Sequence, residues 1–235
     1  MPSSASCRLL LFLRYPQVGR TKTRLIPALG AAGAATLQRH MAEYLVRRLQ
    51  HPSWELQVHF SGASVSAMQD FLGPELVYRP QVGQGLGDRL WYGFQQGFKE
   101  DSFLRSHAVS RTIAIGADCP DVSHQHIHQA FDALRSQDVV LGPATDGGYY
   151  LIGLRQASER CCADASTLAG APAGTSLQSL FKGIDWSTPR VFQQTLARVQ
   201  QLNLSWAQLE TLSDVDRPED LAIWERLQVL SPQIR

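Results

Sequence analysis

The sequence predicts a doubly wound α/β domain, with a mostly parallel sheet flanked by helices, on three observations. Short apolar runs bounded by Gly, Pro and Asp alternate with amphipathic stretches, the pattern of repeated βα units. The 235 residues, 44% of them hydrophobic, suffice for one sizeable core and are long for two, so residues 1–235 read as one domain. Basic, glycine-rich and acidic segments follow the apolar runs, where such a sheet opens its ligand crevice.

The elements follow in order. Leu9–Leu13 reads as a buried first strand, and RYPQVGRTKTRL after it as a cationic loop broken by Pro16 and Gly19. Gly33–Leu49 carries Leu37, Met41, Tyr44, Leu45, Val46 and Leu49 at helical spacing. Leu56–Phe60 alternates as a strand, Ser64–Phe71 forms a short helix and Leu76–Tyr78 a short strand. Leu90–Phe98 is a helix after the glycines of GQGLGDRL, and Thr112–Ile115 a strand ending at GADCPDV. Ser123 caps a helix reaching Leu134. Asp138–Leu141 is a further strand, and GPATDGGYYLIGL turns and continues as another. Residues 158–176 are rich in small and polar residues without periodicity and predict a mobile surface insertion. Thr188–Gln201 is helical, Leu212–Val215 a short strand, and Arg217–Leu230 a last helix with Pro218 in its first turn.

A formal net charge of +1 argues against a field that draws the chain to nucleic acid or an anionic membrane. Leu9–Leu13 is far too short to span a bilayer, and Arg14 and Pro16 interrupt any resemblance to a signal peptide. Cys7, Cys119, Cys161 and Cys162 lack metal-type spacing, so reduced thiols in the cytoplasm are expected.

Arg14, Arg20, Lys22 and Arg24 cluster beside Gly19 directly after the first strand. There, backbone amides and cationic side chains meet phosphate; a solvated basic loop is the plain alternative. Neither a Walker loop nor a dinucleotide fingerprint is present. Asp118 and Asp121 follow the strand Thr112–Ile115. A hard cation bridging two phosphates needs one or two such carboxylates, and Asp118 is the better placed because Asp121 suits a helix cap. In SDVDRPEDL, capping accounts for some of the acids, and Asp216 is the one assigned to metal. Gly85 and Gly87 permit close approach of a phosphate or make an ordinary turn. Asp146, Gly147, Gly148 and Tyr149 combine an acid, a flexible backbone and an aromatic ring, which suits a polar acceptor; a β-hairpin turn with a half-buried Tyr pair is the plain alternative. His124, His126 and His128 are expected to be solvated helix residues.

LLLFLRYPQVGRTKTRLIPALG, GQGLGDRL, IAIGADCPDV, VVLGPATDGGYYLIGL, LFKGIDWST and LSDVDRPEDL, taken together, resemble the bacterial glycosyltransferase-A-like proteins, some labelled arsenosugar-biosynthesis glycosyltransferases. More distantly they resemble molybdenum-cofactor nucleotidylyltransferases and phospholactate guanylyltransferases. The resemblance implies a nucleotide-diphospho-sugar transferase fold, with Lys22 and Arg24 on phosphate and Asp118 and Asp216 on Mg²⁺ or Mn²⁺. It also implies that Asp146, Gly147, Gly148 and Tyr149 shape the acceptor side. Arg14 stands where the family usually has Lys, and Asp118-Cys119-Pro120-Asp121 replaces the usual Asp-x-Asp. The expected activity is transfer of a sugar from a nucleoside-diphosphate sugar to a small-molecule acceptor, with Asp146 as general base. Nucleotidylyl transfer from an NTP, with pyrophosphate release, is the alternative. A catalytically silent nucleotide-binding domain is a third reading.

Overall fold

The computed structural model describes residues 7–98, 110–156 and 178–230. The expected insertion at 158–176, with Cys161 and Cys162, lies outside the described residues.

A seven-stranded sheet has the order β3-β2-β1-β4-β6-β5-β7. The strands are β1 (Cys7–Arg14), β2 (Glu55–Ser61), β3 (Val77–Pro80), β4 (Arg111–Gly116), β5 (Val139–Pro143), β6 (Tyr149–Arg155) and β7 (Trp206–Gln208). β1 lies parallel to β2 and β4, β2 parallel to β3, and β5 parallel to β7. β6 is antiparallel to both its neighbours, β4 and β5. The sheet is therefore mostly parallel, as the alternation of runs predicts.

Side chains along a strand point alternately to the two faces, and β1 supplies both cores this way. Leu9, Leu11 and Leu13 join one cluster; Leu10 and Phe12 join the other. Over the first face lies α1 (Ile26–Leu49), which begins before the predicted start. Gly30 takes a φ of +71° and kinks its first turns, so the regular apolar periodicity becomes readable only beyond that point. On this face Met41, Leu45 and Leu49 are fully buried.

α2 (Val65–Leu72) is capped by Ser64, whose hydroxyl accepts from Ala67 N. α3 (Leu86–Phe98) covers the second face through glycines: a Cβ on Gly93 would stand 2.6 Å from Phe12, and one on Gly97 2.8 Å from Thr112. α4 (His124–Ala133) packs its Ile127 and Phe131 on the first face. α5 (Gln178–Phe181) and α6 (Val191–Gln201) complete the second, and α7 (Leu221–Leu230) follows a 3₁₀ turn at Pro218–Asp220.

Two expectations are corrected. Leu212–Val215 is no strand: Leu212 makes one isolated bridge to Ala144, and the edge strand is Trp206–Gln208. It is held beside buried Asp138, which accepts from the Ser205 N–H and hydroxyl and pairs with Arg155 at 2.6 Å. His126 is not solvated. At the third position of α4 its Nδ1 accepts from Ser123 N, its Nε2 meets Glu210, and the ring is buried. His124 and His128 pack against Trp54 and His51.

Candidate functional site

At the carboxyl end of β1 the chain folds back on itself. Thr21 Oγ1 accepts from Gln17 N and donates to Tyr15 O, and Gly19 turns with a φ of +74°. Lys22 occupies the left-handed region, which aims its side chain into the molecule. Its ammonium is buried, donates to Val215 O at 2.5 Å and meets Asp118 Oδ1 at 2.6 Å. Arg24 pairs with Asp216. Val215 N in turn donates to Asp118 O at 2.8 Å, so three distant segments are stitched together.

The meeting point is a cleft of about 730 Å³ at the carboxyl ends of the parallel strands, where a doubly wound sheet holds its ligands. Arg14, Arg20, Lys22 and Arg24 line it, as do Asp118, Asp214, Asp216 and Tyr149. On the α3 side Arg89 joins them, its Nε donating to Gly83 O. Arg14, Arg20 and Arg89 have no carboxylate partner among the described residues, so their charge faces the cleft uncompensated.

The other wall is acidic. Burial pushes the Asp214 carboxyl up to about 7; the negative charges of Asp118 and Asp146 add to the rise, and Lys22 opposes it. These carboxylates therefore lie close enough to feel one another. Asp146 is exposed, and its Oδ1 accepts from Gly148 N at 2.8 Å, fixing the β5–β6 turn. Gly147 has a φ of +89°, and a Cβ there would stand 2.2 Å from Pro189 O. Tyr149 lines the cleft while its hydroxyl is buried without a hydrogen-bond partner among the described residues; burial raises the phenol well above its ordinary pKa, and the neighbouring Thr195 hydroxyl opposes the rise in part.

The structure thus brings Arg14, Lys22, Arg24, Asp118, Asp216 and Tyr149 to one cleft. Gly19 shapes the loop behind it, and Gly85 sits in the turn before α3 with its N–H near Asp88. Gly87 is buried beneath Trp186 and Phe181 O, while Asp146, Gly147 and Gly148 form the turn at the start of β6. Asp121 is engaged bidentately by Arg226, and Asp220 accepts from Asp216 N and Arg217 N, a cap as the motif suggests. Sequence reasoning passed over Gln38, a buried polar residue lining the cleft from α1. It also left Asp214 among the capping acids; its place one residue before the Val215 that Lys22 grips marks it only in three dimensions.

Among the described residues no three His, Cys, Asp or Glu side chains form a metal-holding group. A Mg²⁺ or Mn²⁺ carried on a diphosphate asks for less: one or two hard carboxylates, with phosphate and water supplying the rest. Asp118, whose side chain is 53% exposed, and Asp216 at 38% are both reachable oxygen donors lining the cleft, and they fit that requirement.

The chain belongs to the family described as an uncharacterized protein conserved in bacteria (DUF2064), whose model matches residues 44–188. No curated protein matches the sequence. Among solved structures, a protein of Desulfovibrio desulfuricans G20, provisionally named a nucleotide-diphospho-sugar transferase, is 29% identical. The match has a TM-score of 0.79 and covers 97% of this chain and 89% of that one. The 4-diphosphocytidyl-2C-methyl-D-erythritol synthase of Anaerococcus prevotii DSM 20548 is 10% identical, with a TM-score of 0.53 and coverage of 95% and 99%. Glucosyl-3-phosphoglycerate synthase of Mycobacterium tuberculosis, solved with Mn²⁺, UDP and glucosyl-3-phosphoglycerate, is 10% identical, with a TM-score of 0.50 and coverage of 97% and 78%. The fold is that of the nucleotide-diphospho-sugar transferases, and its neighbours are glycosyl and nucleotidyl transferases. No helix among the described residues is long and apolar enough to cross a membrane.

Proposed function

We propose that the cleft binds a nucleoside-diphosphate sugar through a divalent cation and passes the sugar to a hydroxyl of a small-molecule acceptor. The observation that carries this reading is the convergence of Lys22, Arg24, Asp118 and Asp216 in one cleft of a nucleotide-diphospho-sugar transferase fold. Arg14, Lys22 and Arg24 supply charge-assisted hydrogen bonds to the diphosphate. Asp118 and Asp216 would hold Mg²⁺ or Mn²⁺, which would supply positive charge beside the diphosphate. Gly19 turns the loop that carries Lys22 and Arg24, and Gly85 precedes α3, which carries Arg89; Gly87, buried within α3 beneath Trp186, packs the helix and does not meet the nucleotide.

The acceptor lies against the Tyr149 ring and the Asp146–Gly148 turn. Its oxygen forms a bond to the anomeric carbon, the bond from that carbon to the diphosphate oxygen breaks, and the nucleoside diphosphate leaves with the electron pair. Asp146, already oriented by Gly148 N, takes the acceptor proton. Calorimetry against UDP-, GDP-, CDP- and ADP-linked sugars with Mn²⁺ or Mg²⁺ tests this reading, together with an assay for nucleoside-diphosphate release. Metal-dependent binding of at least one donor, with release of its diphosphate, is expected. Absence of both across the panel overturns it.

One observation favours a second reading. Arg14, Arg20 and Arg89 face the cleft without carboxylate partners, more positive charge than a metal-bound diphosphate requires. A triphosphate would use it, making the reaction nucleotidylyl transfer to a phosphorylated acceptor. Pyrophosphate release from CTP or GTP separates the two readings.

A further inference from the structure

Both carboxylates that fit a cation on a diphosphate are engaged by cations of the chain itself. Lys22 Nζ meets Asp118 Oδ1 at 2.6 Å, and Arg24 Nη1 meets Asp216 Oδ2. The two pairs differ in what holds them. The Lys22 side chain is 3% exposed and its ammonium also donates to Val215 O, so it cannot turn away without abandoning a buried carbonyl. The Arg24 side chain is 63% exposed and has Asp216 as its only partner among the described residues. One cation is built in, and the other can exchange.

The exchange has a direction. A carboxylate oxygen that accepts from a guanidinium offers less to a divalent cation, and the two positive groups repel each other across it. The two acids and their two cations sum to no net charge, so a dication alone is opposed there, and so is a diphosphate alone. Together the two ligands restore the balance. Asp216 then passes to the cation and Arg24 to the phosphate oxygens, which match the guanidinium fork.

We propose that Arg24 is the exchangeable counter-ion of Asp216: it guards the carboxylate against a metal ion until a diphosphate arrives, and then moves to the diphosphate. This rests on the nucleotide-sugar reading above. The test measures Mn²⁺ affinity by calorimetry for wild type, Arg24→Gln and Arg20→Gln. Each is measured without nucleotide and with whichever of UDP, GDP, CDP and ADP the wild type binds most tightly. Arg24 is exposed, so its replacement leaves the fold standing. Arg20→Gln removes the same charge from the same cleft, at a side chain with no carboxylate partner among the described residues.

Without nucleotide, Arg24→Gln should bind Mn²⁺ about fivefold more tightly, the scale of an exposed ion pair that no longer competes, and Arg20→Gln should gain less than about twofold. With nucleotide the gain should become a loss, because the phosphate then lacks its guanidinium, and by reciprocity nucleotide gains less from Mn²⁺ in this variant. An unchanged or weaker Mn²⁺ affinity in nucleotide-free Arg24→Gln overturns the proposal. So does an equal rise in Arg20→Gln, a rise that persists undiminished with nucleotide, or no measurable Mn²⁺ on wild type and Arg24→Gln alike. A wild type that binds none of the four nucleotides removes the nucleotide-sugar reading and this proposal with it; one that binds nucleotide but fails the Mn²⁺ comparisons removes the proposal alone.

Discussion

The Lys22 ammonium donates to the Val215 carbonyl at 2.5 Å, across 193 residues of chain. The same ammonium meets Asp118, so one buried cation joins the loop after β1, the end of β4 and the segment before α7. It shapes the cleft and carries charge into it at once.

Lys22→Met is accordingly expected to act twice. Leaving the Val215 carbonyl and Asp118 without their donor should cost about 1–3 kcal/mol of stability, the smaller end reflecting the solvent around Asp118. Nucleotide affinity should fall with it. Urea titration and calorimetry measure the two effects; a variant of unchanged affinity speaks against Lys22 as a phosphate ligand.

Asp118→Asn and Asp216→Asn should each remove most of the gain in nucleotide affinity that Mn²⁺ confers, about tenfold or more, a loss of about 1.4 kcal/mol. Chelation of the metal with EDTA should bring the wild type to the same level and leave the variants where they are. Variants that keep a full metal response would take both residues off the metal.

Gly147→Ala should destabilise the protein by about 2–4 kcal/mol. The backbone there has a φ of +89°, and a methyl group would collide with Pro189 O, a backbone atom that does not yield easily. Gly148→Ala meets only the Asp146 side chain, at 3.1 Å, and should cost far less. Paired thermal melts decide between a conformational and a purely ligand-facing role for Gly147.

His59 makes the fold sensitive to acid. It is buried and stacked on Phe12, and burial, helped by Arg79 and Arg8, lowers its pKa to about 3. The unfolded chain takes up a proton near pH 6.5 while the folded chain does not until about pH 3. Stability from this group is therefore complete above 6.5 and lost as the pH falls toward 3, by about 1.4 kcal/mol per unit. His59→Phe should flatten this acid limb; an identical slope in the variant would assign the sensitivity elsewhere.

How much was legible in the sequence depended on whether the signal was local. Leu9–Leu13 and the periodic stretch Leu37–Leu49 declare themselves, because burial on both faces of a strand or one side of a helix leaves a pattern within one segment. Lys22, Arg24 and Asp118 were readable because a cation-rich loop and an acid each follow an apolar run. The reversal of β6 was not, since strand direction depends on its partners β4 and β5 and not on composition. Trp206–Gln208 is too short to show alternation. Asp214 looked like one more capping acid, and Gln38 like a polar interruption of an apolar stripe; only their common cleft distinguishes them.

Because β6 runs against its neighbours, it enters the sheet at the cleft, and Tyr149 and Tyr150 lie at its beginning. The adjoining wall is consequently a tight hairpin and not a long crossover. A hairpin tip can be lengthened or rewritten without rethreading anything on the β1–β4 side.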